Sequence, residues 1–167
     1  PGVWDFSPKE RSSSCFDQYH HLADIQSVAE KNPEIAAVLG REYVITPDIV
    51  LVRMPESDGA INASEYLVDD TVALRSSLRR SVNKRPILHA SISCKWTLRS
   101  DRAQNARSEA LNLVRNRKGR VPHVVVVTGE PLPSRLASLA LGTGDIDCVY
   151  HFALPELMSA VDGMGDT

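Results

Sequence analysis

The stretch that decides the fold runs from Ile87 to Glu130: "ILHASISCKWTLRSDRAQNARSEALNLVRNRKGRVPHVVVVTGE". Its opening, Ile87 to Trp96, places Ile87, Ala90, Ile92 and Cys94 among its apolar positions and reads as a strand. Asp101 to about Lys118 reads as a helix, with Ala106 and Leu113 facing the core. Ser100 or Asp101 is suited to cap it, and Gly119 to end it. "HVVVVTGE" (123–130) is a continuous apolar run between Pro122 and Gly129, the pattern of a central strand covered on both faces. Strand, helix, strand in this order implies α/β architecture, with helices flanking a central mixed β-sheet.

The flanking sequence extends that reading. Residues 1–18 are polar, include Ser12-Ser13-Ser14, and read as loop. Leu22, Ile25, Val28 and Ala29 recur at helical steps within about Tyr19 to Lys31. Asn32-Pro33 opens a short second helix that Gly40 is placed to end. "YVITPDIVLVR" (43–53) reads as a strand, and Gly59 and Asn62 as a loop. Residues 65–85 are ambiguous, and "EYLVDDTVALRSSLRR" fits strand then helix. Ser134–Leu141 reads as a helix, "GDIDCVYHF" as a strand, and Leu154–Val161 as a last helix.

Length and composition bound the rest. At 167 residues and 43% hydrophobic content the chain suits one globular domain, residues 1–167, rather than a disordered one. No apolar run approaches the roughly 18 residues of a membrane span, and no secretory leader is visible. Beginning at Pro1, the chain reads as a piece of a longer parent. Cys15, Cys94 and Cys148 lack paired spacing, which suits reduced thiols and a cytoplasmic setting. The adjacent His20-His21 pair does not share a helix face and makes a poor metal site. Net charge is −2, yet residues 95–120 hold eight basic and two acidic side chains, a local excess suited to phosphates.

Three ionisable residues stand at unusual places. Asp48 lies among Ile45, Ile49 and Val50, where a carboxylate needs a partner. If Ile92, Cys94 and Trp96 share one face of their strand, Ser91, Ser93 and Lys95 share the other. Glu109 neighbours Ala106 and Leu113 on the helix and so points along the sheet. Two carboxylates and an amine at strand ends suit Mg²⁺, which takes a few carboxylate oxygens plus water and phosphate. The order Pro-Asp, a long gap, then x-x-Lys is the PD-(D/E)XK nuclease pattern, although Ser93 stands where that pattern has an acid.

"TPDIVLVR" together with the segment from Ile87 through Glu156 closely resembles the NgoMIV type II restriction endonuclease family. The likeness runs from about Tyr19 to about Leu157. It implies a restriction-endonuclease-like fold and Mg²⁺-dependent cleavage of duplex DNA at a palindrome with a CCGG core, GCCGGC. It implies that the second acid has moved to the helix: Glu109 takes that role and Ser93 the vacated position. Asp48 and Glu109 would then hold metal, Ser93 would lie at the metal, and Lys95 would face the attacking water and phosphate. The family's DNA-reading element matches Arg99, Asp101 and Arg102, and Arg135 matches a position that reads the outer base pair. Arginine forks suit guanine O6 and N7, and a carboxylate accepts from cytosine N4. Cys94, by alternation, is expected to point into the core. Members have a further N-terminal region, with an acid near the metal and some DNA contacts, and a longer C-terminal tail. They assemble as tetramers of two dimers, so a homodimer or homotetramer is implied. The alternative reading is a GC-rich DNA-binding module without turnover. "LGTGD" (141–145) lacks a phosphate-loop pattern and reads as a helix end.

Overall fold

The computed structural model describes residues 2–7, 12–39, 44–142 and 144–165. In chain order the strands are β1 (Trp4–Ser7), β2 (Ile49–Arg53), β3 (Ile87–Lys95), β4 (His123–Thr128) and β5 (Cys148–His151). The helices are α1 (His21–Lys31), α2 (Pro33–Leu39), α3 (Asp58–Ile61), α4 (Ser100–Asn116), α5 (Pro133–Ala140) and α6 (Leu154–Gly165). The strands form one sheet in sequential order. β1, β2 and β3 pair antiparallel, whereas β3, β4 and β5 run parallel, so the sheet is mixed.

The register explains where the core sits. Val50 pairs with Ser91 and Ser91 with Val124; Ser93 pairs with Val126 and Lys95 with Thr128. These residues share one face, and helix α4 covers it with Ala106, Ala110 and Leu113, each at most 2% exposed. Phe16, Tyr19 and Leu22 complete the main core beside Val50, Val52 and Leu88. A smaller cluster joins Leu98, Ala106, Val126 and Leu139. Full burial of one such side chain stabilises by about 1.5–3 kcal/mol. Tyr19 carries its hydroxyl inside by donating to the Leu113 carbonyl at 2.9 Å, and burial pushes its pKa upward.

The opposite face is open, which corrects two sequence expectations. Cys94 is exposed, as is Trp96, so the alternation holds but its apolar partners line the uncovered side. β4 likewise buries only alternate residues rather than both faces. Phe6 and Tyr150, 61% and 63% exposed, continue the same open face at the sheet's flanks.

Other boundaries also differ. The first residues contain a strand, β1, not loop alone. β2 begins only at Ile49. Before it, Ile45 exchanges hydrogen bonds with Ser13 instead of with β3, and Pro47 has no amide to offer a ladder. Gly59 lies within the short helix α3. The N-cap of α4 is Arg99 rather than Ser100 or Asp101, and it makes no side-chain cap bond. α4 ends at Asn116; Gly119, at φ 90°, shapes the turn beyond it. Gly40, the expected end of α2, lies outside the described residues.

The ambiguous region 65–85 has neither helix nor extended strand. A single arginine organises it. Arg79, 4% exposed, donates Nη2 to Asp58 Oδ2 at 2.6 Å and Nε to Asp58 Oδ1 at 2.8 Å. Its Nη1 also reaches the carbonyls of Asp69, Val72 and Ala73. Such a fork satisfies several acceptors of an irregular loop from one side chain.

Candidate functional site

β3 and β4 run parallel, so both deliver their last residues to the same edge. Lys95 is the last residue of β3, and its ammonium lies 3.6 Å from Asp48 Oδ2 and 3.6 Å from Glu109 Oε1. The two carboxylates are thus separated by no more than twice that distance. Asp48 arrives from the turn into β2 and Glu109 from the middle of α4. Ser93, two residues before Lys95 on the same face, donates its hydroxyl to Glu109 Oε2 at 3.0 Å. Asp48 Oδ2 also accepts the Cys94 amide at 2.7 Å. Asp48, Ser93, Lys95 and Glu109 therefore form one cluster, assembled from positions 46 and 16 residues apart for the two bonded pairs.

Exposure sets what this cluster can do. The Lys95 side chain is 16% exposed, whereas Asp48 and Glu109 are 41% and 36% exposed. The amine is held inside and the carboxylates face outward. That arrangement leaves carboxylate oxygens accessible to an incoming ion or substrate. Burial, followed by the charge of Asp48, pushes the Cys94 thiol up and keeps it protonated; Lys95 opposes weakly. A cleft of about 290 Å³ adjoins Glu109, bounded by Ile45, Thr46, Asn105, Ser108 and Asn112. Among the described residues there is no group of three or more His, Cys, Asp or Glu poised as a metal cage. Two hard carboxylate ligands nonetheless fit Mg²⁺, which keeps most of its shell as water and phosphate oxygen.

The basic residues lie just beyond. Arg99, Asp101 and Arg102 occupy the cap and first turn of α4, and all three are exposed. Asp101 is well placed with the helix dipole, whereas the arginines at that end are not favoured by it. Arg135 stands in the first turn of α5, its side chain 42% exposed.

Glu130 was not anticipated as a functional residue. Its carboxylate is fully buried, at 0% exposure. Oε2 accepts the Leu98 amide at 2.6 Å and Oε1 the Leu132 amide at 3.1 Å. Arg135 Nη1 lies 3.5 and 3.4 Å from the two oxygens. Burial pushes the carboxyl up, but the Leu98 and Leu132 amides and the Arg135 guanidinium outweigh it and leave it below the ordinary glutamate value. The available signal was an acid closing an apolar run, in "HVVVVTGE", where no solvent-facing turn was needed.

Sheet, cluster and basic rim together define an α/β class: an acid–amine group at the carboxyl edge of the central strands, beside an exposed arginine-bearing helix start. The chain belongs to the NgoMIV restriction enzyme family, which it matches over residues 1–167. It is 59% identical over 161 residues to the type II restriction enzyme NgoMIV of Neisseria gonorrhoeae, covering 94% of this chain and 56% of that protein. The chain thus spans about half the length of this curated relative. The crystal structure of the type IIF restriction endonuclease Bse634I with cognate DNA superposes with a TM-score of 0.46. Identity there is 12%, covering 96% of this chain and 66% of that one.

Proposed function

We propose that the parent protein is a type II restriction endonuclease that hydrolyses phosphodiester bonds of duplex DNA at a palindrome with a CCGG core, GCCGGC, with Mg²⁺ as cofactor. The observation that carries this reading is Lys95, equidistant at 3.6 Å from Asp48 and Glu109, in a chain of this family. When bound, Mg²⁺ would lower the pKa of a water and neutralise charge developing on the phosphate. Asp48 and Glu109 would hold it through their outward oxygens. Ser93 fixes the rotamer of Glu109 by its hydrogen bond. The Cys94 amide does the same for Asp48. Lys95 supplies a fixed positive charge and a donor for the scissile phosphate and the attacking water.

Base reading falls to the exposed rim. Arg99 and Arg102 carry forks suited to guanine, and Asp101 a carboxylate suited to the N4 amino groups of neighbouring cytosines. Arg135 extends the reading to the outer base pair. Palindromic DNA presents its half-sites with two-fold symmetry, which a homodimer or a tetramer of two dimers would match. The unpaired thiols of Cys15, Cys94 and Cys148 suit a reducing, cytoplasmic setting. No helix among the described residues is long and apolar enough to cross a membrane.

Plasmid carrying GCCGGC, incubated with Mg²⁺, should be cut at that sequence, and a duplex of the same sequence should shift in Ca²⁺. A shift without cutting would favour a DNA-binding module lacking turnover. Neither a shift nor a cut with the full chain would remove the assignment.

A further inference from the structure

We propose that Glu130 is a positioning residue that sets the spacing between two base-reading segments, the Arg99–Arg102 turn and the start of α5 with Arg135. The inference rests on the DNA-reading role given above to those segments. One buried carboxylate grips both. Oε2 accepts the amide of Leu98, the residue just before Arg99, at 2.6 Å. Oε1 accepts the amide of Leu132, the N-cap of α5, at 3.1 Å. Arg135 Nη1 sits on the same two oxygens.

The surroundings make this grip rigid. Leu98 is 2% exposed and packs with Ala106, Val126 and Leu139. The Gly129 amide donates to the Trp96 carbonyl at 3.1 Å, and the Glu130 amide to Thr128 Oγ1 at 3.2 Å. His151 Nε2 lies 3.1 Å from the Glu130 carbonyl. Burying a charge is costly unless donors surround it. Here those donors are the backbone entries of two different helices and one side chain that would itself touch DNA. A turn that only needed to fold could close with fewer demands. A carboxylate shared in this way fixes the distance between an inner-pair reader and an outer-pair reader.

The test compares the full chain with Glu130→Gln. Dissociation constants are measured in Ca²⁺ for a GCCGGC duplex and for duplexes with one inner or one outer base pair changed. The amide cannot accept on both sides, so the preference for GCCGGC should fall by about tenfold at both positions. Arg135→Ala should lower it at the outer position alone. A partly unfolded preparation weakens binding to every duplex alike and leaves the ratio unmoved, so the ratio separates positioning from stability. Should Glu130→Gln not fold, Glu130→Asp, which keeps the charge but withdraws it by one methylene, is read the same way. Unchanged ratios in the folded variant would overturn the inference. If the unsubstituted chain shows no preference for GCCGGC, the base-reading assignment itself fails and this inference falls with it.

Discussion

The hydroxyl of Ser93 donates to Glu109 Oε2 at 3.0 Å, joining the strand position where the nuclease motif has an acid to a helical acid sixteen residues later. A carboxylate contributed by α4 therefore lies beside that strand position. Ser93→Ala removes the hydrogen bond that orients Glu109 and leaves only the Lys95 ammonium, at 3.6 Å from Oε1, to hold the carboxylate. Loss of such a supporting partner costs about 10–100-fold in metal affinity or activity. Cleavage at limiting Mg²⁺ should drop by that order and recover as Mg²⁺ is raised. An unchanged Mg²⁺ titration would separate Ser93 from metal binding.

Lys95→Ala should abolish cleavage. Binding to the specific duplex should remain, because the arginine rim lies on α4 and α5 and not on the end of β3. Removing the ammonium also leaves Asp48 and Glu109 facing one another without a shared cation. Band shift and plasmid cutting measured on one preparation decide the matter. Cutting at the original rate would take Lys95 out of the mechanism.

Asp48→Asn keeps the shape of the side chain but removes a charged ligand, so half-maximal cleavage should need more Mg²⁺, by at least about tenfold. The substitution also sets an amide group against the Cys94 N–H if its nitrogen takes the Oδ2 position. The oxygen end is expected to stay there and the nitrogen to face the ion. A titration identical to that of the original protein would show that metal binds elsewhere.

Arg102→Ala should weaken binding to GCCGGC more than to random duplex. A bidentate arginine–guanine contact discriminates by about 1–3 kcal/mol, whereas a phosphate contact is lost equally from all sequences and lowers the salt dependence. Competition binding at two salt concentrations distinguishes the two. Uniform weakening would make Arg102 a phosphate contact.

Much of this was legible because it depended on local pattern. Periodicity placed α1 and α4 within a few residues, Pro33 marked the start of α2, and the apolar run at 123–128 gave β4. Alternation put Ser93 and Lys95 on one face, as the register shows. It could not say which face was covered. Ile92, Cys94 and Trp96 look like core in sequence, yet the helices pack against Ser91 and Ser93 instead. Asp48 and Glu109 could be flagged as acids needing partners. Their meeting at Lys95 depends on the antiparallel β2–β3 pair for Asp48 and on α4 for Glu109; the Pro-Asp and x-x-Lys pattern suggested the convergence, and the resemblance singled out Glu109. Arg79 and Glu130 were missed for one reason. Each gathers backbone groups from irregular chain, Arg79 the carbonyls of a loop without periodicity and Glu130 the amide of Leu98 on another connection, and no spacing rule announces that.

Acid should expose the role of Glu130 through stability. Its folded carboxyl sits below the ordinary glutamate value near 4.5. A depressed folded pKa means that the unfolded chain binds its proton first as pH falls. The stabilisation is therefore complete above the ordinary value and is lost as pH drops through the folded one. Asp58, held low by its hydrogen bond from Arg79, and Asp69, held low by Thr71, behave in the same sense. Both remain in Glu130→Gln, so the difference between the two proteins isolates Glu130. Between about pH 5 and about pH 3 the melting temperature of the original chain should fall more steeply than that of the variant. The variant should begin lower at neutral pH, and the gap should narrow in acid as the carboxyl takes up its proton. Parallel curves across that range would mean that the Leu98 and Leu132 amides do not hold the ionised form.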